Sequence, residues 1–119
     1  MNPEQFISAL KVAVVDSANN SVFSLLSHPP GRKPAEKLIE MSTWFNNLSR
    51  KDMEMVQRII NESIESAVFG FLCVLDGVRA IENDENKGEL LLFFQKDGER
   101  IQLNDPTGGD LHELFWNKD

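Results

Sequence analysis

The segment that most constrains the fold is residues 49–77, which read SRKDMEMVQRIINESIESAVFGFLCVLDG. Apolar residues recur there at steps of three and four, which places them on one face of an α-helix. These residues are Met53, Val56, Ile60, Ile64, Ala67, Phe71 and Leu75. Beyond residue 67 the remaining faces are apolar as well, so that half of the helix should run through a core. The pattern therefore predicts one long helix in which Phe71 and Leu75 are buried.

Both ends of this segment carry helix-terminus signals. Ser49 can accept a hydrogen bond at the N-cap, and Gly77 can adopt the left-handed conformation that ends many helices. The dipeptide Asp76-Gly77 is also a strong hairpin signal, which leaves an alternative with strands at residues 68–75 and 78–82. The first of these two segments lacks polar and apolar alternation and continues the helical stripe, so the long helix is favoured.

The residues that precede the long helix predict further helices. Asn2 and Pro3 are N-cap and N1 signals for a first helix. Its apolar face consists of Phe6, Leu10, Ala13 and Val14. Poor helix formers at residues 19–21 predict a break, and the helical region should stop before a proline-rich loop at residues 28–34. The next helix should start with Pro34 at N1. Its buried face consists of Leu38, Met41, Phe45 and Leu48.

After the long helix the pattern changes to strands. Residues 78–82 predict a short strand, and residues 89–95 (ELLLFFQ) predict a central strand that is covered on both faces. Residues 99–104 alternate between apolar and polar side chains, and a tight turn at residues 96–98 should join them to the central strand. Asp110 can cap a last short helix.

Together these signals predict an α+β fold, with three to four N-terminal helices packed on a three-stranded antiparallel meander and a short C-terminal helix. A chain of 119 residues suits one domain, residues 1–119. The longest apolar run is nine residues, which is too short to cross a bilayer, and the N-terminus lacks the pattern of a signal peptide. With the single Cys73 in apolar surroundings, the sequence predicts a cytoplasmic protein without membrane attachment.

The net charge of −7 is unevenly distributed along the chain. Residues 76–119 carry 11 acidic and 5 basic side chains, a net charge of −6, whereas residues 1–75 have a net charge of −1. Such a C-terminal part repels nucleic acid. Its acidic side chains either serve solubility or form a surface for a basic protein partner. The candidate partner surface consists of Glu82, Asp84, Glu85, Asp97, Glu99 and Asp110.

The sequence shows no pattern of catalytic, cofactor-binding or metal-binding residues. Cys73 lies in an apolar segment, whereas a reactive cysteine needs exposure and a nearby positive group. The two histidines, His28 and His112, have no metal-like spacing to each other or to the cysteine. Asp110, His112 and Glu113 are interpreted as neighbours on a surface helix. We therefore predict a protein that is not an enzyme and that has no cofactor and no metal.

Three functional hypotheses follow from these observations. The predicted pattern is similar in type to that of many small bacterial proteins, including immunity proteins that neutralise toxins. It combines helices, an Asp-Gly turn, a meander and an acidic C-terminal half. The first hypothesis is therefore a non-enzymatic module that binds a basic protein. The second is a structural domain that associates with its own copy through the open edges of a small sheet. The third is a small-molecule-binding protein or enzyme, whose pocket between helices and sheet is lined by Trp44, Phe71 and Trp116.

Overall fold

The computed structural model of this chain describes residues 1–117, which form an α+β fold of helices and one two-stranded sheet. In chain order the elements are α1 (Pro3–Leu10), a π-helical segment (Lys11–Asp16), α2 (Ser17–Ser27), α3 (Glu36–Asn46), α4 (Arg50–Leu75), β1 (Phe93–Lys96), β2 (Glu99–Gln102), a 3₁₀ turn (Pro106–Gly108) and α5 (Leu111–Trp116). The backbone divides into two compact units. The helical unit is Ala13–Glu65, and the hairpin unit is Met1–Val12 together with Ser66–Asp119.

The long helix α4 occupies nearly the whole predicted segment, which confirms the helix over the alternative hairpin. Ser49 Oγ accepts a hydrogen bond of 3.1 Å from the amide three residues further on, as an N-cap should. At the other end Gly77 has a φ of 77° and donates to the carbonyl of Val74, while Val78 donates to the carbonyl of Cys73. These two bonds form a Schellman motif, which explains why the helix ends at this Asp-Gly pair.

The buried face of the C-terminal half of α4 differs from the prediction. Phe71 is 62% exposed, so its predicted burial was wrong, and Leu75 is half-buried. The interior stripe instead continues in steps of four through Val68 to Leu72, which is 1% exposed, with Cys73 buried beside it. Every face is apolar in this half of the helix, so the hydrophobic period alone cannot select the face that other elements cover.

The predicted start of α1 is confirmed, whereas α3 starts two residues later than predicted. Asn2 Oδ1 accepts from the amide of Gln5, and Gln5 Oε1 accepts from the amide of Asn2, which is a complete capping box. Helix α3 begins at Glu36 with Ala35 at the N-cap, so the prediction of Pro34 at N1 was wrong. Ala35 offers no side-chain acceptor, and the start of this helix lacks a side-chain cap.

The π-helical segment changes which residues of the N-terminal helical stretch are buried. A π turn is wider than an α turn, so it displaces the apolar stripe by one position. Val15 is buried in this segment, whereas the predicted Ala13 and Val14 are exposed. Ile7, in α1 before the segment, is buried as well. The break predicted at residues 19–21 is absent, because α2 continues without interruption through them.

In the helical unit, α2 and α3 pack around one aromatic pair. The rings of Phe23 and Phe45 meet edge to face, with centroids 5.7 Å apart, and Phe45 is 1% exposed. This geometry is favourable for aromatic side chains beyond the area that they bury. The predicted burial of Met41 was wrong, because Met41 is exposed and the neighbouring Ser42 is buried in its place.

In the hairpin unit, β1 and β2 pair in antiparallel fashion with Phe94 opposite Ile101. The turn between them has positive φ at both central residues, Asp97 and Gly98, as a tight two-residue hairpin requires. The predicted turn at residues 96–98 is therefore confirmed.

The predicted three-stranded meander was wrong, because residues 78–82 form no strand and the sheet has two strands within the described chain. The amides of Val78 and Arg79 both donate to the carbonyl of Cys73 at the end of α4. A residue whose amide is bonded to a helix end cannot donate to a neighbouring strand. The central strand is also shorter than predicted, because β1 begins at Phe93.

Candidate functional site

The hairpin unit contains a groove with a volume of about 710 Å³. Residues 74–82 form one wall, residues 87–91 form another, and Gln102, Asn104 and Pro106 complete the lining. The groove is thus lined by the two segments that the sequence predicts as paired strands. No backbone hydrogen bond joins these segments in the part of the chain that the structure describes.

Four large aliphatic side chains in the groove are open to solvent. Val78, Ile81, Leu90 and Leu91 are between 44% and 68% exposed, and all four line the groove. Single exposed apolar residues are common on soluble proteins, but a contiguous group of them is typical of a binding surface. Their position in one concave surface makes this groove the candidate functional site.

The buried side chain of Asn104 fixes the floor of the groove. Its side-chain amide donates to the carbonyl oxygens of Leu75 (2.6 Å) and Leu90 (2.7 Å), and its Oδ1 accepts from the amide of Leu92 at 2.9 Å. Asn104 is 7% exposed. Both of its N–H donors therefore bond backbone, and they join the end of α4 to the segment that leads into β1.

A second polar contact joins the end of α4 to the start of α5. Asp76 Oδ2 accepts from the backbone amide of His112 at 2.8 Å, and Nδ1 of the same histidine lies 2.7 Å from it. The Asp76 side chain is 1% exposed, and the His112 ring also meets Phe69 edge to face. Asp110 occupies the N-cap position of α5 but makes no side-chain cap bond, so Asp76 provides the acceptor that the sequence assigned to Asp110.

The ligand atoms of Asp110, His112 and Glu113 lie within 4.8 Å of one another. A histidine with two carboxylates is a donor set that divalent metals accept. Here, however, His112 Nδ1 already contacts Asp76, and the three residues lie within four positions at the start of a six-residue helix. We assign no metal to them.

The six residues of the predicted partner surface all belong to the hairpin unit. Five of them are exposed, and Asp110 is half-buried. Glu82 Oε1 accepts from the amide of Gly88 at 2.6 Å, and Asp84 Oδ1 accepts from the amide of Asn86 at 3.1 Å. These bonds order the acidic loop beside the groove, and Glu82 also lines the groove. That all six form one continuous surface stays a prediction.

The three residues of the predicted pocket are distributed over both units. Trp44 lies in the helical unit, whereas Phe71 and Trp116 lie in the hairpin unit. Each is about 60% exposed, and none of them lines either of the two grooves described here. Trp116 packs against Phe69, with ring centroids 5.3 Å apart. A pocket that all three share stays a prediction.

The helical unit has a shallower groove of about 690 Å³ along the first half of α4. Its apolar lining includes the exposed Met55 and Ile59. The remaining lining residues are polar or charged, and Asn19 of α2 donates to Asn61 Oδ1 at 2.9 Å there. The polar side chains that line this groove form no arrangement typical of a catalytic or metal site.

Sequence reasoning missed Asn104 as a site residue. It made Asn104 the last residue of the alternating strand that it predicts at residues 99–104. In the structure β2 ends at Gln102, so the alternation no longer holds beyond it, and both Leu103 and Asn104 are buried. The adjacent Asp-Pro sequence, a turn signal, was the sign that the strand stops early.

No protein-family model, curated protein sequence or solved structure matches this chain at a significant level. No helix among residues 1–117 combines the length and the apolar character that a membrane span requires. The geometry of the chain itself therefore carries the functional argument.

Proposed function

We propose that this chain is a non-enzymatic protein-binding module whose groove in the hairpin unit receives part of a basic protein partner. The observation that carries the proposal is the set of four exposed aliphatic side chains in one concave surface. Protein interfaces combine an apolar centre with a polar rim, and this groove has both.

The charge of the hairpin unit favours a basic partner. The unit carries 12 acidic and 6 basic side chains, a net charge of −6. Glu82 and Glu89 line the groove, and Asp84 and Glu85 are exposed on the loop between them. A surface of one sign accelerates the approach of a partner of the opposite sign and suppresses partners of the same sign.

Binding is favoured over catalysis by the bonding of the buried polar groups at the groove. The side-chain donors of Asn104 bond backbone carbonyls, and Asp76 Oδ2 bonds His112. Such groups hold the fold together and are not available to a reacting molecule. The accessible part of the groove is then aliphatic and charged, which suits recognition of a protein surface.

The proposal is tested by capturing a partner on the immobilised chain at low salt and measuring its association rate against ionic strength. Replacing Asp84 and Glu85 together by lysine should slow association about tenfold and flatten its salt dependence. The matched control replaces Glu36 and Glu40, two exposed acidic residues of the helical unit, by lysine. Equal effects of the two pairs would mean that net charge alone acts, and the proposed surface would be wrong.

The helical unit supports a second candidate function, which is self-association. Within Ala13–Glu65 the apolar side chains that are buried are Val15 and Phe45. Exposed there are Val14, Ile39, Met41, Trp44, Met55 and Ile59. This unit carries 7 acidic and 6 basic side chains, so two copies would meet with little repulsion between charges.

Sedimentation over a range of protein concentrations tests this second candidate. Replacing Met41 and Trp44 by glutamate should dissociate a dimer, whereas Ile81→Glu in the hairpin unit should not. A monomer at all concentrations, or equal loss of dimer in both variants, would exclude self-association through the helical unit.

A further inference from the structure

The unpaired backbone along the groove indicates which conformation a bound segment takes. We propose that the groove accepts an extended segment of the partner, with alternating basic and aliphatic residues, that adds as a β-strand beside residues 89–91. This inference rests on the proposed function and specifies the form of its ligand.

Among the described residues, the hydrogen bonds of residues 90–92, the segment that leads into β1, are all made to Leu103 and Asn104. The carbonyl of Leu90 accepts from Asn104, and Leu92 bonds Asn104 through its amide and Leu103 through its carbonyl, at 2.8 Å. Backbone groups of successive residues in an extended chain point to opposite sides. Those of Leu91, between these two residues, therefore point away from β2.

No partner for these outward groups is found in the described chain. The backbone amide and carbonyl of Leu91 make no hydrogen bond within residues 1–117, and the same holds for Glu89. Both residues are exposed, so water meets these groups in the free protein. An edge of this kind is a template for an added strand, with main-chain bonds for affinity and side-chain pockets for specificity.

The opposite wall offers side-chain contacts to such a strand. Val78 and Ile81 are exposed there, and every second side chain of an added strand would reach the same face of the groove. Arg79 also lines this wall, but its guanidinium group lies against Gly70 of α4. An aliphatic residue at alternate positions of the segment fits this wall best.

Charge selects a foreign basic segment over the edge of a second copy. Two hairpin units of net charge −6 would repel each other at close approach, and the repulsion would oppose pairing of their two edges. Basic side chains at the remaining alternate positions would meet Glu82 and Glu89, with the acidic pair of the adjacent loop nearby. The loop at residues 83–88 contains one basic residue, Lys87, beside the acidic Asp84 and Glu85.

The test uses a blocked synthetic hexapeptide of alternating lysine and valine, titrated into the ¹⁵N-labelled full chain and followed by the amide shifts of the groove residues. Two further peptides carry N-methyl groups on all the valines or on all the lysines. A strand bonds its neighbour through every second amide, so one methylated peptide should bind at least tenfold more weakly and the other should bind like the parent. The glutamate–valine analogue should show no shifts at the groove.

A variant of the chain checks the same bond from the other side. Leu91→Pro removes the outward N–H and should weaken the parent peptide about tenfold or more, whereas Leu91→Ala, which keeps that N–H, should cost less. Equal binding of both methylated peptides and of both variants would overturn strand addition. If the parent peptide does not bind while the captured basic partner does, the strand inference is wrong and the proposed function stands. If neither binds, both are wrong.

Discussion

The hairpin unit and the helical unit stabilise their interiors in different ways. The hairpin unit buries apolar residues such as Leu72 and Leu111 and also two polar side chains, Asn104 and Asp76, whose bonds join separate segments. The helical unit has one fully buried large side chain, Phe45, and the asparagines that join its helices by hydrogen bonds, Asn19 and Asn46, are half-buried and exposed, respectively. Directed hydrogen bonds select one arrangement of the chain, whereas a small apolar core supplies stability without that selection.

This difference indicates how the two units respond to change. Removal of one apolar side chain should affect the helical unit most, because few other buried groups remain. The hairpin unit should instead be sensitive at Asn104 and Asp76, where a truncated side chain leaves backbone groups without partners. The hydrogen bonds of Asn104 also explain why the groove keeps a defined shape although its aliphatic lining is exposed, since they fix its floor.

The largest expected effect is in the helical unit, at Phe45. Phe45→Ala should lower the free energy of unfolding by about 3–5 kcal/mol, the usual range for a buried aromatic side chain. Its neighbour Trp44 is the matched control, because it is exposed and Trp44→Ala should cost no more than about 1 kcal/mol. Urea denaturation of both variants measures the difference. A cost for Trp44 that equals the cost for Phe45 would mean that this face of α3 is covered.

The corresponding pair in the hairpin unit is Leu72 and Phe71. Leu72→Ala should cost about 2–5 kcal/mol, whereas Phe71→Ala should stay within about 1 kcal/mol. The adjacent buried Cys73 provides a local readout, since its thiol should react slowly in the native chain and faster in the Leu72 variant. Faster labelling in the Phe71 variant than in the Leu72 variant would reverse the assignment of the buried face of α4.

The side-chain hydrogen bonds of the two units can be compared directly through one asparagine in each. Asn104→Ala leaves three backbone groups without their partner and should cost at least about 1–3 kcal/mol. Asn61→Ala removes one side-chain bond, to Asn19, and should cost about 0.5–1.5 kcal/mol. Equal costs in thermal or urea unfolding would contradict the claim that the hairpin unit depends on its polar network.

The sequence predicts those parts of the fold whose causes lie within a few residues. The capping box at Asn2, the helix end at Gly77 and the turn at Asp97 each follow from the side chain or the glycine at that position. The exposure of Phe71 depends on which face of α4 other segments cover, and no local pattern contains that information. The missing strand at residues 78–82 likewise depends on the Cys73 carbonyl that binds its first two amides.

The candidate site was predicted less well than the fold for the same reason. The acidic residues of the loop could be named from the sequence because charge is read directly from it, and their role in binding stays a prediction. The groove was missed, because it exists only where two apolar segments fail to pair, and the pattern of each segment predicts pairing. Asn104 was missed because its burial depends on the position where β2 ends.

The smallest expected effect concerns Asp105, at the 3₁₀ turn of the hairpin unit. Its carboxylate accepts from the backbone amide of Thr107 (3.0 Å) and from the hydroxyl of the same residue (2.9 Å). Both bonds, the backbone one more than the hydroxyl one, lower the pKa of Asp105 below the ordinary value of an aspartate. Because the folded-state pKa lies below the unfolded one, the bonds stabilise the fold above the unfolded pKa. That contribution is lost as the pH falls through the folded pKa.

Titration of the Asp105 carboxyl carbon by NMR measures this pKa, and Thr107→Val separates the two donors. The variant removes the hydroxyl and keeps the amide, so the pKa should rise only part of the way towards its ordinary value, because the backbone bond has the larger effect. Asp105→Asn should abolish the associated loss of stability in acid. A full return of the pKa in Thr107→Val would show that the hydroxyl orders the turn. The hairpin unit would then depend on side-chain hydrogen bonds in its loops as well as on those of the buried Asn104 and Asp76.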